Sequence, residues 1–324
     1  MNDEFKKYGR TYIIKNLNLV YLIASFNDIA IANTLATYNQ YHIIKNFLPT
    51  IWWIREAPSY MDRNIIIPKI VENADNIYTM SDLSKNDFLK FNKNISVIKH
   101  GIPDNYNNKK ISIDKLSFAI IGTIERRKGH DILISAIENL PKTISEKASF
   151  YILGRSKDKN YFNNLKLNKF NNIKYIPEIT NKSELLKFYE DISCVIVPSR
   201  EEPTSRVAIE AMMMGRPVIM SNKVGAQYLI NDKNGFIFNN EDYKELSSII
   251  KNIIKQPKLL LPMEEEARKA YLCNNSIHVY KQNLITMLNK YINISAFKFT
   301  PKIDNRKLTL SIVVPVYNAL TDLI

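Results

Sequence analysis

Glu202 and Glu210 stand with seven residues between them in Ser199-Arg-Glu-Glu-Pro-Thr-Ser-Arg-Val-Ala-Ile-Glu-Ala-Met-Met-Met-Gly-Arg-Pro-Val-Ile219. A carboxylate can accept hydrogen bonds from two vicinal hydroxyls, which is what a ribose offers. Far upstream, Arg126, Arg127 and Lys128 crowd a single loop. A bidentate arginine beside a lysine point charge neutralises a departing diphosphate without help from a metal. Both features have plainer readings. The glutamates could be a solvated helix face with Glu202 favouring the helix dipole, and three consecutive cations could be a solvated loop.

The surrounding elements decide between these readings. Cys194-Val-Ile-Val-Pro-Ser199 reads as a buried strand, and Pro217-Val-Ile-Met220 as another. Between them, Pro203 takes the place of a first helical residue, where its fixed φ fits and its missing N–H costs nothing. Val207, Ala211 and Met214 recur at i, i+4, i+7, and Gly215 followed by Pro217 marks the helix stop. A strand that ends at a helix start makes an anion site: free N–H groups at Thr204 and Ser205 would face a phosphate. Glu202 would lie beside that phosphate, with Glu210 about two turns into the helix and leaning back towards it. Upstream, Ser117-Phe-Ala-Ile-Ile121 reads as a strand ended by Gly122. Thr123 and the cationic loop follow, then a helix with Ile132, Leu133, Ala136, Ile137 and Leu140 in its period.

Alternation of this kind runs through the chain. Short apolar runs at 19–23, 29–32, 51–54, 76–80 and 95–98 are separated by helical pattern; 1–16 reads as a residual helix and 105–115 as a linker. Strands follow near 117–121, 148–153, 172–176, 192–197, 217–220 and 235–238, and 241–294 is largely helical. The fold class is therefore α/β with parallel sheets.

On these residues the chain resembles family 4 of the retaining glycosyltransferases, whose two facing Rossmann-like domains form the GT-B fold. The family's Glu-x7-Glu signature implies that Glu202 touches the donor sugar and Glu210 binds the nucleotide ribose. Where that family often has Gly-Phe-Gly or Pro-Phe-Gly, this chain has Pro203-Thr204-Ser205, which narrows the room for a sugar. The cationic loop resembles the family's strand–Gly-Arg–loop–Lys-Gly element, which holds the donor phosphates. Lys128 and Arg127 match it; Thr123 stands where an arginine often follows the glycine, leaving that charge to Arg126 or Arg127. Trp53-Ile-Arg-Glu56 resembles a strand-end His-Glu element, with Arg55 in the place of the histidine. Leu308-Thr-Leu-Ser-Ile-Val-Val-Pro-Val-Tyr-Asn-Ala319 resembles the first strand of inverting family 2 enzymes, which use the GT-A fold.

The resemblance implies a catalytic set of Glu202, Lys128 and Arg127. It implies donor contacts from Gly122, Thr123, Arg126, Pro203, Thr204, Ser205, Glu210 and Arg55. Neither metal nor cofactor is expected beyond a nucleotide-diphosphate sugar as donor, and a glycan or lipid-linked acceptor is implied. The expected division is a partial first Rossmann-like domain at 1–104 and a nucleotide-sugar-binding domain at 105–275. A closing helix at 276–294, a linker at 295–307 and the start of a second enzyme at 308–324 complete it, as in a piece cut from a longer tandem protein.

Composition bounds the alternatives. The 324 residues suffice for two separate cores, and the apolar fraction of 45% is ordinary for a globular chain. No apolar run reaches the roughly 18–20 residues of a membrane span. Two cysteines and four histidines show neither disulfide-framework nor metal spacing. The net charge of +13 is spread through Asn/Lys/Ile-rich loops rather than gathered with aromatics, which disfavours nucleic acid and suits contact with anionic headgroups. A cytoplasmic protein, peripheral at the inner face of the plasma membrane, is expected. A Rossmann dehydrogenase would need Gly-x-Gly-x-x-Gly, which the eight scattered glycines do not supply. A donor-binding remnant without transfer activity stays open beside the enzyme reading, with a basic nucleic-acid-binding α/β protein behind both.

Overall fold

A computed structural model describes residues 27–63, 66–298 and 310–313. The helix expected at 1–16, the strand at 19–23, the linker from 299 onward and Pro315-Val-Tyr-Asn318 lie outside the described residues. The chain divides into two units. One takes Met1–Thr79, Phe88–Ser96 and Ile285–Ile324; the other takes Met80–Asp87 and Val97–Leu284.

In the first unit, β1 (Ile29–Asn33), β2 (Thr50–Trp53), β3 (Ile77–Thr79) and β4 (Ile95–Val97) stand side by side in chain order. Residues Leu310–Val313 pair in parallel with β1, Ile29 opposite Leu310, on the edge away from β2. All four residues of β2 are buried, and Trp52 stacks on Tyr41 with ring centroids 4.7 Å apart. The indole N–H of Trp52 donates to the Thr34 carbonyl at 2.9 Å, satisfying the one polar atom that burial would otherwise leave unpaired. Arg55 follows this strand, its guanidinium 4.8 Å from the Trp53 ring centroid. The neighbouring Glu56 carboxylate accepts from the Leu35 and Arg55 amides, a backbone-holding role.

The second unit is built on a six-stranded sheet. Its strands are β5 (Leu116–Ile121), β6 (Ala148–Leu153), β7 (Ile173–Ile176), β8 (Cys194–Val197), β9 (Val218–Ser221) and β10 (Gly235–Phe238). The order is β10-β9-β8-β5-β6-β7, with every pair parallel. Alternation along β5 explains the layering. Phe118 and Ile120 enter one apolar cluster with Leu133 and Ile137 of the helix His130–Glu138 and Leu246 and Ile250 of the helix Tyr243–Lys255. Ala119 and Ile121 enter the opposite cluster with Ala208 and Met212 of the helix Arg206–Met213. Helices thus cover both faces, so the strand carries no polar face and all six residues are buried. Each such large side chain contributes roughly 1.5–3 kcal/mol on burial.

Strand order also places a crevice. From β5 the chain steps to β6 and β7 on one side, then returns to put β8 on the other side, Phe118 opposite Cys194. The connections after β5 and β8 therefore diverge to opposite faces, and the gap outside their carboxyl ends is where open parallel sheets take ligands.

Candidate functional site at the switch between β5 and β8

The cationic loop and the first glutamate of the spaced pair meet in that gap. After β5, Gly122 adopts φ +134, and a Cβ placed on it would meet nothing within 4 Å, so open space lies over the strand end. Arg126–Lys128 form a single 3-10 turn, closed by Gly129 at φ +72. A Cβ on Gly129 would sit 2.0 Å from the Pro198 carbonyl oxygen. Only glycine lets the turn lie this close to the end of β8, and the closeness brings Lys128 onto Glu202.

Lys128 Nζ lies 2.9 Å from Glu202 Oε1, and the Ser199 hydroxyl donates to Glu202 Oε2 at 2.5 Å. Glu202 is 6% exposed. Its amide donates to the Lys223 carbonyl and its carbonyl accepts from the Gly225 amide, so the backbone is held as firmly as the side chain. Lys128, Ser199, Glu202 and Ser205 line one cleft between the ends of β5 and β8. A carboxylate this buried needs a cation beside it, and Lys128 supplies that charge.

The helix after Glu202 starts later than its proline suggests. It runs Arg206–Met213, and Ser205 is the N-cap, its hydroxyl accepting from the Ala208 amide at 3.3 Å. Pro203 lies outside the helix, its carbonyl accepting from the Ser81 hydroxyl at 2.6 Å. A serine cap satisfies an amide that a proline start leaves open, and here it decides the boundary. The open amides are accordingly those of Ser205, Arg206 and Val207 rather than Thr204 and Ser205. Thr204 Oγ1 is buried without a hydrogen-bond partner. Glu210 is the fifth helical residue, little more than one turn in rather than two. Its Oε1 accepts from Arg206 Nε at 2.7 Å and its Oε2 from the Tyr189 hydroxyl at 3.0 Å. The helix is also buried around most of its circumference, not along the single stripe Val207, Ala211, Met214.

Arg126 and Arg127 are exposed, and Thr123 is half-buried. Arg127 pairs with Glu125 at 2.7 Å and donates to the Glu201 carbonyl at 3.0 Å, so its guanidinium ties the two loops together. Arg200 does more of this tying and was not among the residues singled out from sequence. Its Nη1 and Nη2 grip both Asp131 oxygens at 2.9 and 2.8 Å, while Nη1 also donates to the Arg126 carbonyl at 2.6 Å. Its Nε donates to Glu241 at 2.6 Å and its amide to the Arg127 carbonyl at 2.8 Å. Burial alone would raise the Asp131 carboxyl, but hydrogen bonds from Arg200 and Tyr161 outweigh it and hold the carboxyl below its ordinary range. The signal for Arg200 was an arginine directly after an apolar strand; its partners, distant in sequence, gave no periodicity to read. Arg55 belongs to the other unit.

Beside the turn, His130 is fully buried and neither ring nitrogen makes a hydrogen bond. Burial pushes it down to about 4. Unfolded, the imidazole takes a proton below its ordinary 6.5; folded, only near 4. The unfolded state thus holds more protons in between, and stability is lost as pH falls from 6.5 to 4, by roughly 3 kcal/mol. Thermal melts should show this loss in the parent and a flatter profile in His130→Leu, whose remaining slope belongs to the carboxylates. Parallel slopes in the two proteins would contradict it.

Comparison with known proteins gives the family and the fold. The family model described as glycosyl transferases group 1 matches residues 103–270, the whole of the region that carries the cleft. An uncharacterized glycosyltransferase of Haemophilus influenzae is 25% identical over 262 residues, 79% of this chain and 72% of that protein. The capsular polysaccharide biosynthesis glycosyltransferase CapM of Staphylococcus aureus is 27% identical over 121 residues, 37% of this chain and 32% of its own length. In fold, the chain is similar to Anabaena Alr3699/HepE, crystallised with UDP and glucose. The TM-score is 0.70 at 19% identity, covering 87% of this chain and 84% of that one. Among the described residues no helix is long and apolar enough to cross a membrane.

Proposed function

The chain belongs to the glycosyl transferases group 1 family, and we propose that it moves a hexosyl unit from a nucleotide-diphosphate sugar to a glycan or lipid-linked acceptor, retaining the anomeric configuration without a metal ion. The observation that carries this reading is the 2.9 Å contact between Lys128 and Glu202, which unites two motifs from opposite sides of the sheet in one cleft.

A diphosphate seated over Gly122 meets Lys128 and the open amides at the start of the helix Arg206–Met213. As the bond from the anomeric carbon to the phosphate oxygen breaks, negative charge builds on that oxygen, where Lys128 and those amides stabilise it. Arg127 keeps the turn on the Glu201 backbone and adds its charge to the same region. The acceptor hydroxyl attacks from the face the diphosphate leaves, and its proton passes to the departing phosphate oxygen. Glu202 accepts from sugar hydroxyls and orients the ring, while Glu210 accepts from the ribose hydroxyls. Gly122, Thr123, Arg126 and Pro203-Thr204-Ser205 border the donor, Thr204 offering the unpartnered hydroxyl. An acceptor in cell-surface polysaccharide synthesis accords with the stated role of CapM. The charge of +13 suits an acceptor held at an anionic membrane face.

Titration of the full chain with UDP-, GDP- and other nucleotide sugars tests this. At least one should bind, and Glu210→Ala should weaken that binding at least about tenfold, the scale of a charge-assisted hydrogen bond. Failure of every nucleotide to bind would sink the proposal.

A further inference from the structure

Tyr189 reaches Glu210 without belonging to any motif. It sits near the end of the helix Lys182–Asp191, just before β8, and is wholly buried. Its ring lies in the apolar cluster beneath the helix Arg206–Met213. Its carbonyl accepts from Arg216 Nε at 3.0 Å, which fixes the backbone on which the ring stands. The hydroxyl has one partner, Glu210 Oε2 at 3.0 Å. Burial and the Glu210 charge raise its pKa well above the ordinary range, so the phenol stays protonated and acts as a donor.

The other partner of Glu210 is of a different kind. Arg206 reaches Oε1 from the solvent side, with its own side chain 70% exposed against 16% for Glu210. An exposed i, i+4 pair contributes only a few tenths of a kcal/mol and leaves the arginine free to exchange with water. A buried, singly packed tyrosine pays almost none of that entropy again at each binding event, since its rotamer is already set by the core.

We propose that Tyr189 is the positioning residue for ribose recognition: its buried hydroxyl fixes the plane of the Glu210 carboxylate so that the remaining lone pairs point at the ribose hydroxyls. The proposal rests on Glu210 being the ribose ligand. Without the hydroxyl, Oε2 loses its only buried partner and the carboxylate rotates towards Arg206 and solvent. The phosphate-binding elements, Lys128 and the helix amides, are untouched by that rotation. Tyr189 therefore acts on the ribose end of the donor alone.

The test compares the nucleoside diphosphate that the parent binds with its 2′-deoxy counterpart and with inorganic pyrophosphate, on the full chain. Tyr189→Phe keeps the ring and should lower affinity for the ribonucleotide about tenfold. It should lower affinity for the deoxynucleotide much less, so the ribo-to-deoxy ratio shrinks, and leave pyrophosphate binding within twofold of the parent. An unchanged ratio in Tyr189→Phe overturns the proposal. Should that variant fail to melt cooperatively, Arg206→Met decides. With Tyr189 as the remaining partner the ratio must be kept, and its loss there would show that the arginine does the positioning. Glu210→Gln separates the two layers: an unchanged ratio in that variant removes the ribose role of Glu210 itself, whatever Tyr189 does.

Discussion

Lys128→Ala is expected to lower turnover at least about 100-fold, and Glu202→Ala likewise, since in the proposed transfer each removes a contact made to charge or to the sugar ring. The two losses have different origins. In the proposed transfer Lys128 meets the charge that gathers on the departing phosphate, so its removal should be felt mainly in kcat. It also strips a 6% exposed carboxylate of its counter-ion. A fall in thermal stability is therefore expected in Lys128→Ala but not in the double variant with Glu202→Ala, where neither charge remains. Ser199 keeps only part of the burden, since one hydroxyl cannot offset a full charge. Steady-state rates with the donor identified by titration, read beside melting temperatures, check both statements. Near-parent rates in both single variants would refute the assignment of the site.

Arg216→Met is expected to destabilise the second unit by about 3–5 kcal/mol, the range for removing one partner from a buried charged network. Arg216 has no exposed surface. It donates to the carbonyls of Tyr189 at 3.0 Å, Lys109 at 2.7 Å and Glu190 at 3.1 Å, and lies 4.0 Å from Glu264. Glu264 in turn accepts from the Ile111 amide at 2.8 Å. Methionine fills the volume but takes a donor from three carbonyls and the buried cation from beside a 3% exposed carboxylate, which keeps the Ile111 amide and the exposed Lys110 at 3.1 Å. Arg216→Lys should rescue little, because one ammonium cannot reach carbonyls that a planar fork reaches together. For a unit of this size the melting temperature should fall by roughly 10 °C or more. A shift of a degree or two would mean that the network contributes little. Because Tyr189 is held by this same arginine, ribose discrimination should decline with it.

These particulars show where sequence reading succeeds and where it stops. The strands 148–153 and 235–238 were legible to the residue, and Leu116–Ile121 to within one, because each is a short run rich in apolar, β-prone residues; only Leu116–Ile121 is buried along its whole length. That Lys128 and Glu202 would meet was legible because each charged residue follows the end of an apolar strand. The helix start was misplaced by three residues: Pro203 and Ser205 each carry a start signal, and only the Ser205 hydroxyl on the Ala208 amide distinguishes them. That error also set Glu210 too deep. Tyr189, Asp131 and Arg200 were invisible as site residues because their partners lie far along the chain, and a buried tyrosine reads in sequence as ordinary core. Strand order, which creates the gap between β5 and β8, has no signature in local periodicity at all.

In the proposed site one diphosphate is gripped between the Arg126–Lys128 turn and the amides opening the helix Arg206–Met213. A crystal structure of the chain with a bound nucleoside diphosphate tests it most directly. The β-phosphate should lie within hydrogen-bonding distance, about 3 Å, of Lys128 Nζ and of at least one amide among Ser205, Arg206 and Val207, with the ribose on Glu210. A nucleotide bound elsewhere, with the Lys128–Glu202 pair intact and the space over Gly122 empty, would contradict it.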